Sequence, residues 1–512
     1  MTISMLCQAS SAVTSSIAYF KVNATMALSM KPLNPDDFLK AANDYISAEK
    51  LGAAKALAED YLKRDRQSPH AKLVLGMVAH EYGLEDEAIA WYDKMGKKYA
   101  KSPQVLFCRA RVRYAQGRTR EALKLLNSSI DIDPALINAH LLKLETLERS
   151  GDLDAARVIY EKVPAIAEQS QAKMIMARIE DRSGNSDQAI ELLDEITSND
   201  TVHPKIRRVS GYYKAKVHDA HGRYEDAWAA AHESNQIRRF PFDRSLMKHT
   251  IDDCCSVLTA ENMKLLRKSS NTSELPVFIA GLPRSGTTLL EQIIDAHPEA
   301  AGIGELNTID VMADMLGGDY PWPGSLGDID EKAISQMARK YIKAAVEVGG
   351  KNRSRLINKN LQNWSRLPLI AMMFPNARII HIRRDPRDVA VSCFMSSMHP
   401  KKNRWTNDVS DILWMSDQCE RLMTHWKSAL DLQFIEVDYE DLVHDVDVQA
   451  RRVIDFLGLP WNDHCLSFHR SGRTVMTLSY DQVNKPIYSK AMGRYRNYES
   501  FVPELKDFAP KS

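Results

Sequence analysis

The sequence predicts two architectures in one chain: a helical repeat in its N-terminal half, then an α/β domain with a parallel central sheet. Three patterns carry that reading. Alanines return at a fixed interval of 34 residues at Ala54, Ala88, Ala122 and Ala156. An apolar stretch, Val277 to Ala280, runs into Gly281 and Gly286 with Gly-x-x-x-x-Gly spacing, and a helix pattern follows at Leu289, Leu290, Ile293 and Ile294. A second apolar stretch, with Ile379, Ile380 and Ile382, ends on Arg383 and Arg384 and opens another helix. Recurring strand-then-helix units build parallel sheets.

Residues 1–32 have apolar patches interrupted by Ser, Thr and Ala, without the basic start and continuous apolar run of a secretory signal. They are expected to be disordered, and Met26 and Met30 are alternative starts just before the first strongly patterned segment. With 512 residues and 44% hydrophobic content, the chain can fill more than one core. A net charge of +1 gives no global case for nucleic acid or an acidic membrane. No apolar run reaches membrane-spanning length. The cysteines (Cys7, Cys108, Cys254, Cys255, Cys393, Cys419 and Cys465) are odd in number and lack Cys-x-x-Cys spacing, which predicts reduced thiols, a cytoplasmic location and no zinc site.

The repeat domain is expected over 33–245. Ala189 and Ala227 continue the series at intervals of 33 and 38, and Gly83, Gly117, Gly151, Gly184 and Gly222 each precede an alanine by five. Glycine relieves the turn between two helices, and alanine lets the second helix approach its neighbour. Pro69 and Pro103 repeat at the same interval, marking where one repeat ends and the next begins. This pattern resembles the tetratricopeptide repeat (TPR), which implies five or six stacked helix pairs that bind a partner or acceptor, or mediate self-association. Residues 246–274 read as a helical junction and linker, with Arg267 to Glu274 its most linker-like stretch, and 275–505 as the α/β domain.

In the first loop, Arg284, Ser285, Gly286, Thr287 and Thr288 can cradle an anion with backbone N–H groups at a helix N-terminus. A nucleotide triphosphatase would have Lys before its Ser or Thr. Thr287 stands there instead, so the loop points to a phosphorylated nucleotide that is not a triphosphate. Arg384 at the edge of the second strand and Ser392 two turns into its helix can meet on one phosphate, because both loops lie at the carboxyl end of the sheet.

Together the two motifs resemble those of sulfotransferases that use 3′-phosphoadenosine 5′-phosphosulfate (PAPS): Pro283 to Thr288 their 5′-phosphosulfate loop, Arg384 with Ser392 their 3′-phosphate site. The likeness extends over 437–442, 456–459 and 479–486. Ser-Tyr-Asp-Gln-Val-Asn-Lys-Pro at 479–486 and Gly302-Ile303-Gly304-Glu305 are similar to the tyrosylprotein sulfotransferase branch. The histidine base segment of the small-molecule branch is not found.

The resemblance implies Glu305 as the catalytic base, Lys359 as the residue stabilising the leaving group and Ser479 as a transition-state contact. It also implies Tyr439 at the adenine and Arg494 at the 3′-phosphate. Ser396 stands where the tyrosylprotein branch has a further arginine, Leu289 where the small-molecule branch has an aromatic residue, and Leu361 where Asn-Lys-Asp-Pro has proline. His297 is expected to fix a loop and His381 to lie within a strand. Rims of an acceptor site are expected at Gly317 to Gly324 and Ser396 to Trp405, including Lys401, Lys402 and Arg404. Two other functions fit parts of the pattern: a P-loop kinase using Arg284 in place of the lysine, with Phe434 to Asp438 as its metal-binding strand, and a TPR adaptor with an inactive catalytic half. Residues from about 268 onward are expected to bind nucleotide alone.

Overall fold

The computed structural model describes residues 34–48, 50–237, 239–316, 324–399, 402–470 and 491–508. The chain forms two compact units that part between Ile175 and Met176.

In the first unit, helices pair as Pro35–Ser47 with Leu51–Arg64, Pro69–Glu81 with Glu85–Asp93, Pro103–Ala115 with Thr119–Ile132, and Ile137–Ser150 with Leu153–Lys162. The predicted period is met by the backbone. Gly83, Gly117, Gly151, Gly184 and Gly222 all have positive φ, between 71° and 88°. Ala54, Ala88, Ala122, Ala156, Ala189 and Ala227 are all fully buried. Pro69 and Pro103 open helices at the first turn, where a missing N–H is harmless, and the hydroxyls of Ser68 and Ser102 cap the same turns.

The second unit begins within helix Ser170–Arg182 and holds helix Ser186–Thr197, the pair Pro204–Ala220 with Tyr224–Gln236, then the α/β domain. Its sheet contains β1 (Pro276–Ala280), β2 (Ala300–Gly302), β3 (Arg355–Asn358), β4 (Arg378–Arg383) and β5 (Gln433–Asp438) in the order β2-β3-β1-β4-β5. Every pairing is parallel. Alternate strand residues feed two cores: Phe278, Ala280, Leu356 and Ile379 on one face, Val277, Ile279, Ile357, Ile380 and Ile382 on the other. After β1 the chain crosses toward β2, and after β4 toward β5. The carboxyl ends of β1 and β4 therefore flank the switch point where such sheets bind ligands.

The boundary expected near residue 245 is not a physical one. Ala215, Ala227, Ala230 and Ala231, from the last repeat pair, belong to the same apolar core as Phe278 and Trp426. Trp228 stacks on Phe394 at 4.4 Å, and Asn235 Nδ2 donates to the Phe394 carbonyl at 2.9 Å. Buried Arg208 donates to the Met398 carbonyl at 2.8 Å. The stretch 267–274 is not a free linker either: Ser269 N–H donates to the Met372 carbonyl at 2.8 Å, and Glu274 pairs with Arg355 and Arg378 at 3.0 and 2.9 Å. Separation at residue 268 would strip a packed face from the α/β domain.

Candidate active site

The first loop links β1 to helix Thr287–Asp295, whose N-cap is Gly286. With no capping side chain, the first-turn N–H groups are left for an anion. Gly286 has φ of 96°, and a Cβ there would lie 2.4 Å from Tyr439 Cδ2, so the tight fit of loop on ring requires glycine. Arg284, with φ of 71°, is the one non-glycine of positive φ among the described residues. Such a conformation costs about 1–3 kcal/mol and persists where its surroundings fix it. Here the Arg284 carbonyl accepts from Arg384 Nη1, and its own Nε donates to Ser392 Oγ, both at 2.8 Å. Ser285, Thr287 and Thr288 are buried in the same loop.

Arg384 follows β4, with only 7% of its side chain exposed. It donates to the carbonyls of Arg284 and Ala491, lies 3.6 Å from Asp388 and covers the Tyr439 ring at 4.5 Å. Its buried Nε has no hydrogen-bond partner among the described residues. Such a donor, beside a strained loop and a glycine no other residue could replace, fits an anionic ligand. Arg284, Arg384 and Ser392 are thus brought together as expected. Tyr439 is enclosed between Arg384 and Gly286 rather than open to stacking.

Arg494 does not join this group. Asp388 holds the neighbouring backbone, accepting from Gly493 and Tyr495 N–H at 2.7 and 3.0 Å. The Arg494 guanidinium turns away to Asp219 of helix Pro204–Ala220, at 2.9 Å. The expected phosphate contact is replaced by an anchor between the last repeat pair and the domain's C-terminal segment.

The other half of the site is an acid–lysine pair. Lys359, just after β3, is buried, and its Nζ donates to Glu305 Oε1 at 2.6 Å. Glu305 keeps 45% of its side chain exposed. The Lys359 N–H donates to the Gly304 carbonyl at 2.9 Å, and Glu291 Oε1 accepts from Gly304 N–H at 2.7 Å, so both backbones are held. The pair joins a buried ammonium to a half-open carboxylate, an arrangement that can take a proton from a group approaching from solvent.

The remaining expected residues sort cleanly. His297 fixes a loop, its Nε2 donating to the Pro460 carbonyl at 2.7 Å while Nδ1 accepts from Glu299 N–H at 3.1 Å. His381 is buried in β4, 3.7 Å from Glu420 and 3.6 Å from Glu436. These three gather possible metal-ligand atoms, yet Lys427 and Arg383 engage the same carboxylates and already supply positive charge. Ser396 Oγ donates to the Ser392 carbonyl at 2.6 Å, so this hydroxyl turns back to the preceding helix and offers no charge in the arginine's place. Ser479 and the 479–486 segment, Gly317 to Pro323 and Lys401 lie outside the described residues. Asp388 and Glu291 were not singled out in the sequence. Glu291 did carry a signal, as an acid within the apolar stripe Leu290, Ile293 and Ile294.

Residues 276–463 match the sulfotransferase family, and residues 39–103 and 113–179 match tetratricopeptide repeat families. The C-terminal domain is thus a sulfotransferase-family domain preceded by TPR helices. An Aquifex aeolicus protein described as uncharacterized is 26% identical over 78% of this chain, which spans 54% of that relative's length. A putative protein-tyrosine sulfotransferase of Caenorhabditis briggsae is 28% identical, covering 47% of this chain and 88% of its own. Protein-tyrosine sulfotransferase 1 of Danio rerio is 27% identical over 48% of this chain and 75% of its own. Among solved structures, the sulfotransferase domain of the Synechococcus PCC 7002 olefin synthase aligns with TM-score 0.34 and 22% identity, covering 45% of this chain and 90% of that one.

Proposed function

We propose that the protein transfers a sulfuryl group from PAPS to an acceptor hydroxyl, a protein tyrosine being the first candidate, and that its TPR helices recruit the acceptor or a partner. The observation that carries this reading is the meeting, at one sheet edge, of the lysine-free loop with Arg384 and Ser392, beside the Glu305–Lys359 pair. The nucleotide's phosphates would be held by the loop N–H groups, Arg284, Ser392 and Arg384, and PAPS would supply the sulfuryl group.

Glu305 accepts the acceptor's proton as the new O–S bond forms and the bond from sulfur to the phosphate oxygen breaks. Protonation of Glu305 neutralises the carboxylate that holds Lys359, so the ammonium is released toward charge developing on the leaving oxygen. A group already buried within 2.6 Å of the base needs little reorganisation to do so. The described cysteines are free thiols, in keeping with a proposed cytoplasmic location.

The kinase reading loses its metal ligand: both Asp438 oxygens accept from Arg383, at 3.0 Å each. Thermal-shift measurements separate the two. Stabilisation by PAP (3′-phosphoadenosine 5′-phosphate) without Mg²⁺, and transfer of label from ³⁵S-PAPS to a component of cell extract, are expected. Stabilisation by ATP only when Mg²⁺ is present would favour the kinase, and no response to PAP would favour the inactive adaptor.

A further inference from the structure

The segments that carry Glu305 and Lys359 are joined by a second side-chain pair, one step removed from the first. Glu305 precedes helix Thr308–Met315, and Asp310 lies in that helix's first turn. Asn360 follows Lys359 directly. Asn360 Nδ2 donates to Asp310 Oδ2 at 2.8 Å, and Arg366 Nε donates to Asp310 Oδ1 at 3.4 Å. Asn360 Oδ1 in turn accepts from Gln362 N–H at 2.9 Å. The side chain at 360 must therefore accept on one branch and donate on the other, which an amide does and a carboxylate does not. Asn358 Nδ2, donating to the Leu306 carbonyl at 3.0 Å, ties the same segments from the opposite end.

We propose that Asp310 and Asn360 form a positioning clasp that sets the separation of Glu305 and Lys359, and that the clasp requires one carboxylate and one amide. The inference rests on the sulfuryl-transfer reading of Glu305 and Lys359. It also explains the altered loop at 358–361: Asn360 stands where the Asn-Lys-Asp-Pro pattern has aspartate, opposite the partly buried Asp310. The charged groups facing Asp310 are Arg366 and, more distantly, Asp314. Burial pushes the Asp310 carboxyl upward, against the opposing pull of Arg366 and Asn360.

Asn360→Asp is the informative substitution. It sets two carboxylates against each other, and they cannot both stay ionised at this separation. At alkaline pH the clasp opens. Toward acid pH the pair shares a proton, and an O–H donor replaces the amide. The variant's kcat relative to wild type is expected to fall about 10- to 100-fold at pH 8, the scale of a small misplacement of reacting groups, and to recover as pH falls. KM for PAPS should change less than about threefold, because the nucleotide loops are untouched. Adding Asp310→Asn exchanges the two groups and should restore kcat at pH 8 to within about threefold of wild type.

Hydrogen exchange over residues 303–311 and 358–360 supplies a readout independent of activity, faster in Asn360→Asp at pH 8 and normal in the double variant. Asn360→Ala, which removes the donor without adding charge, covers failure of the first variant to fold. It should lower kcat with unchanged PAP affinity by calorimetry. A wild-type kcat and exchange rate in Asn360→Asp at pH 8, or no recovery in the double variant, overturns the clasp. A wild type that transfers no label counts against the sulfuryl-transfer reading alone, and the exchange data then still judge the clasp.

Discussion

The two halves of the candidate site are built from opposite materials. In the anion cradle, Arg384 is held by carbonyl oxygens of residues 284 and 491, and Arg284 by a hydroxyl at 2.8 Å. In the acid–lysine pair, full charges meet at 2.6 Å with one partner buried and the other open. Asp388, 3.6 Å from Arg384, offsets part of the cradle's positive charge, while the short hydrogen bonds there go to neutral oxygens, which suits a ligand bearing phosphate in ground and transition states alike. The pair is compensated at rest and becomes unbalanced only when Glu305 takes a proton. On the proposed reading, binding belongs to the first half and chemistry to the second.

The largest expected effect falls on the chemical half: Glu305→Ala should lower kcat by roughly 10² to 10⁴ with KM for PAPS little changed. Steady-state kinetics with ³⁵S-PAPS read it. The cradle responds in affinity instead. Arg384→Ala should weaken PAP binding by about 2–4 kcal/mol, with a smaller change in kcat. Gly286→Ala should also cost affinity, by about 1–3 kcal/mol, since the added methyl displaces Tyr439 and strains a backbone at φ of 96°. Calorimetry with PAP checks both. A large kcat defect at unchanged affinity in either variant would blur the division between the halves.

Truncation sharpens the comparison from outside the site. A chain of residues 176–512 should keep PAP binding, whereas one beginning at 268 should melt at a lower temperature and bind PAP more weakly. The second cut exposes Phe394 and Met398, which end and follow the helix carrying Ser392. Loss of the Asn235 hydrogen bond alone, with the Phe394 carbonyl turned over to water, is worth about 0.5–1.5 kcal/mol.

The smallest expected effect is electrostatic. His381, Lys427 and Arg383 hold the Glu436 carboxyl down to about 2. A depressed folded-state value means that its contribution is full above the unfolded carboxylate range and disappears as pH falls toward 2. Glu436→Gln should therefore flatten the pH dependence of stability between about pH 5 and 2, modestly because water screens this group. Denaturant melts across that range measure it.

Much of this was legible in sequence because it is local. The strand–loop–helix at 276–295, the placement of Arg384 and Ser392, and the 34-residue period each follow from spacing within one element. Glu305 and Lys359 were found separately, through the resemblance. What the sequence did not show is who meets whom across distance. The Arg284–Ser392 bond spans 108 residues, and the Arg494–Asp219 bridge 275. Asp219 sits in an unremarkable repeat helix, and nothing in its neighbourhood marks it as the partner of Arg494. The repeat's last pair comes at an interval of 38 rather than 34 but keeps the five-residue step from Gly222 to Ala227, and that step does not reveal that one face of the pair, through Trp228 and Asn235, packs on another fold.

Measuring both PAP affinity and kcat on Glu305→Ala and Arg384→Ala side by side decides whether one half binds and the other reacts. A crossed pattern is expected: Glu305→Ala keeps wild-type affinity and loses turnover, while Arg384→Ala loses affinity and keeps most of its turnover at saturating PAPS. Full turnover in Glu305→Ala, or unaltered PAP affinity in Arg384→Ala, would contradict it.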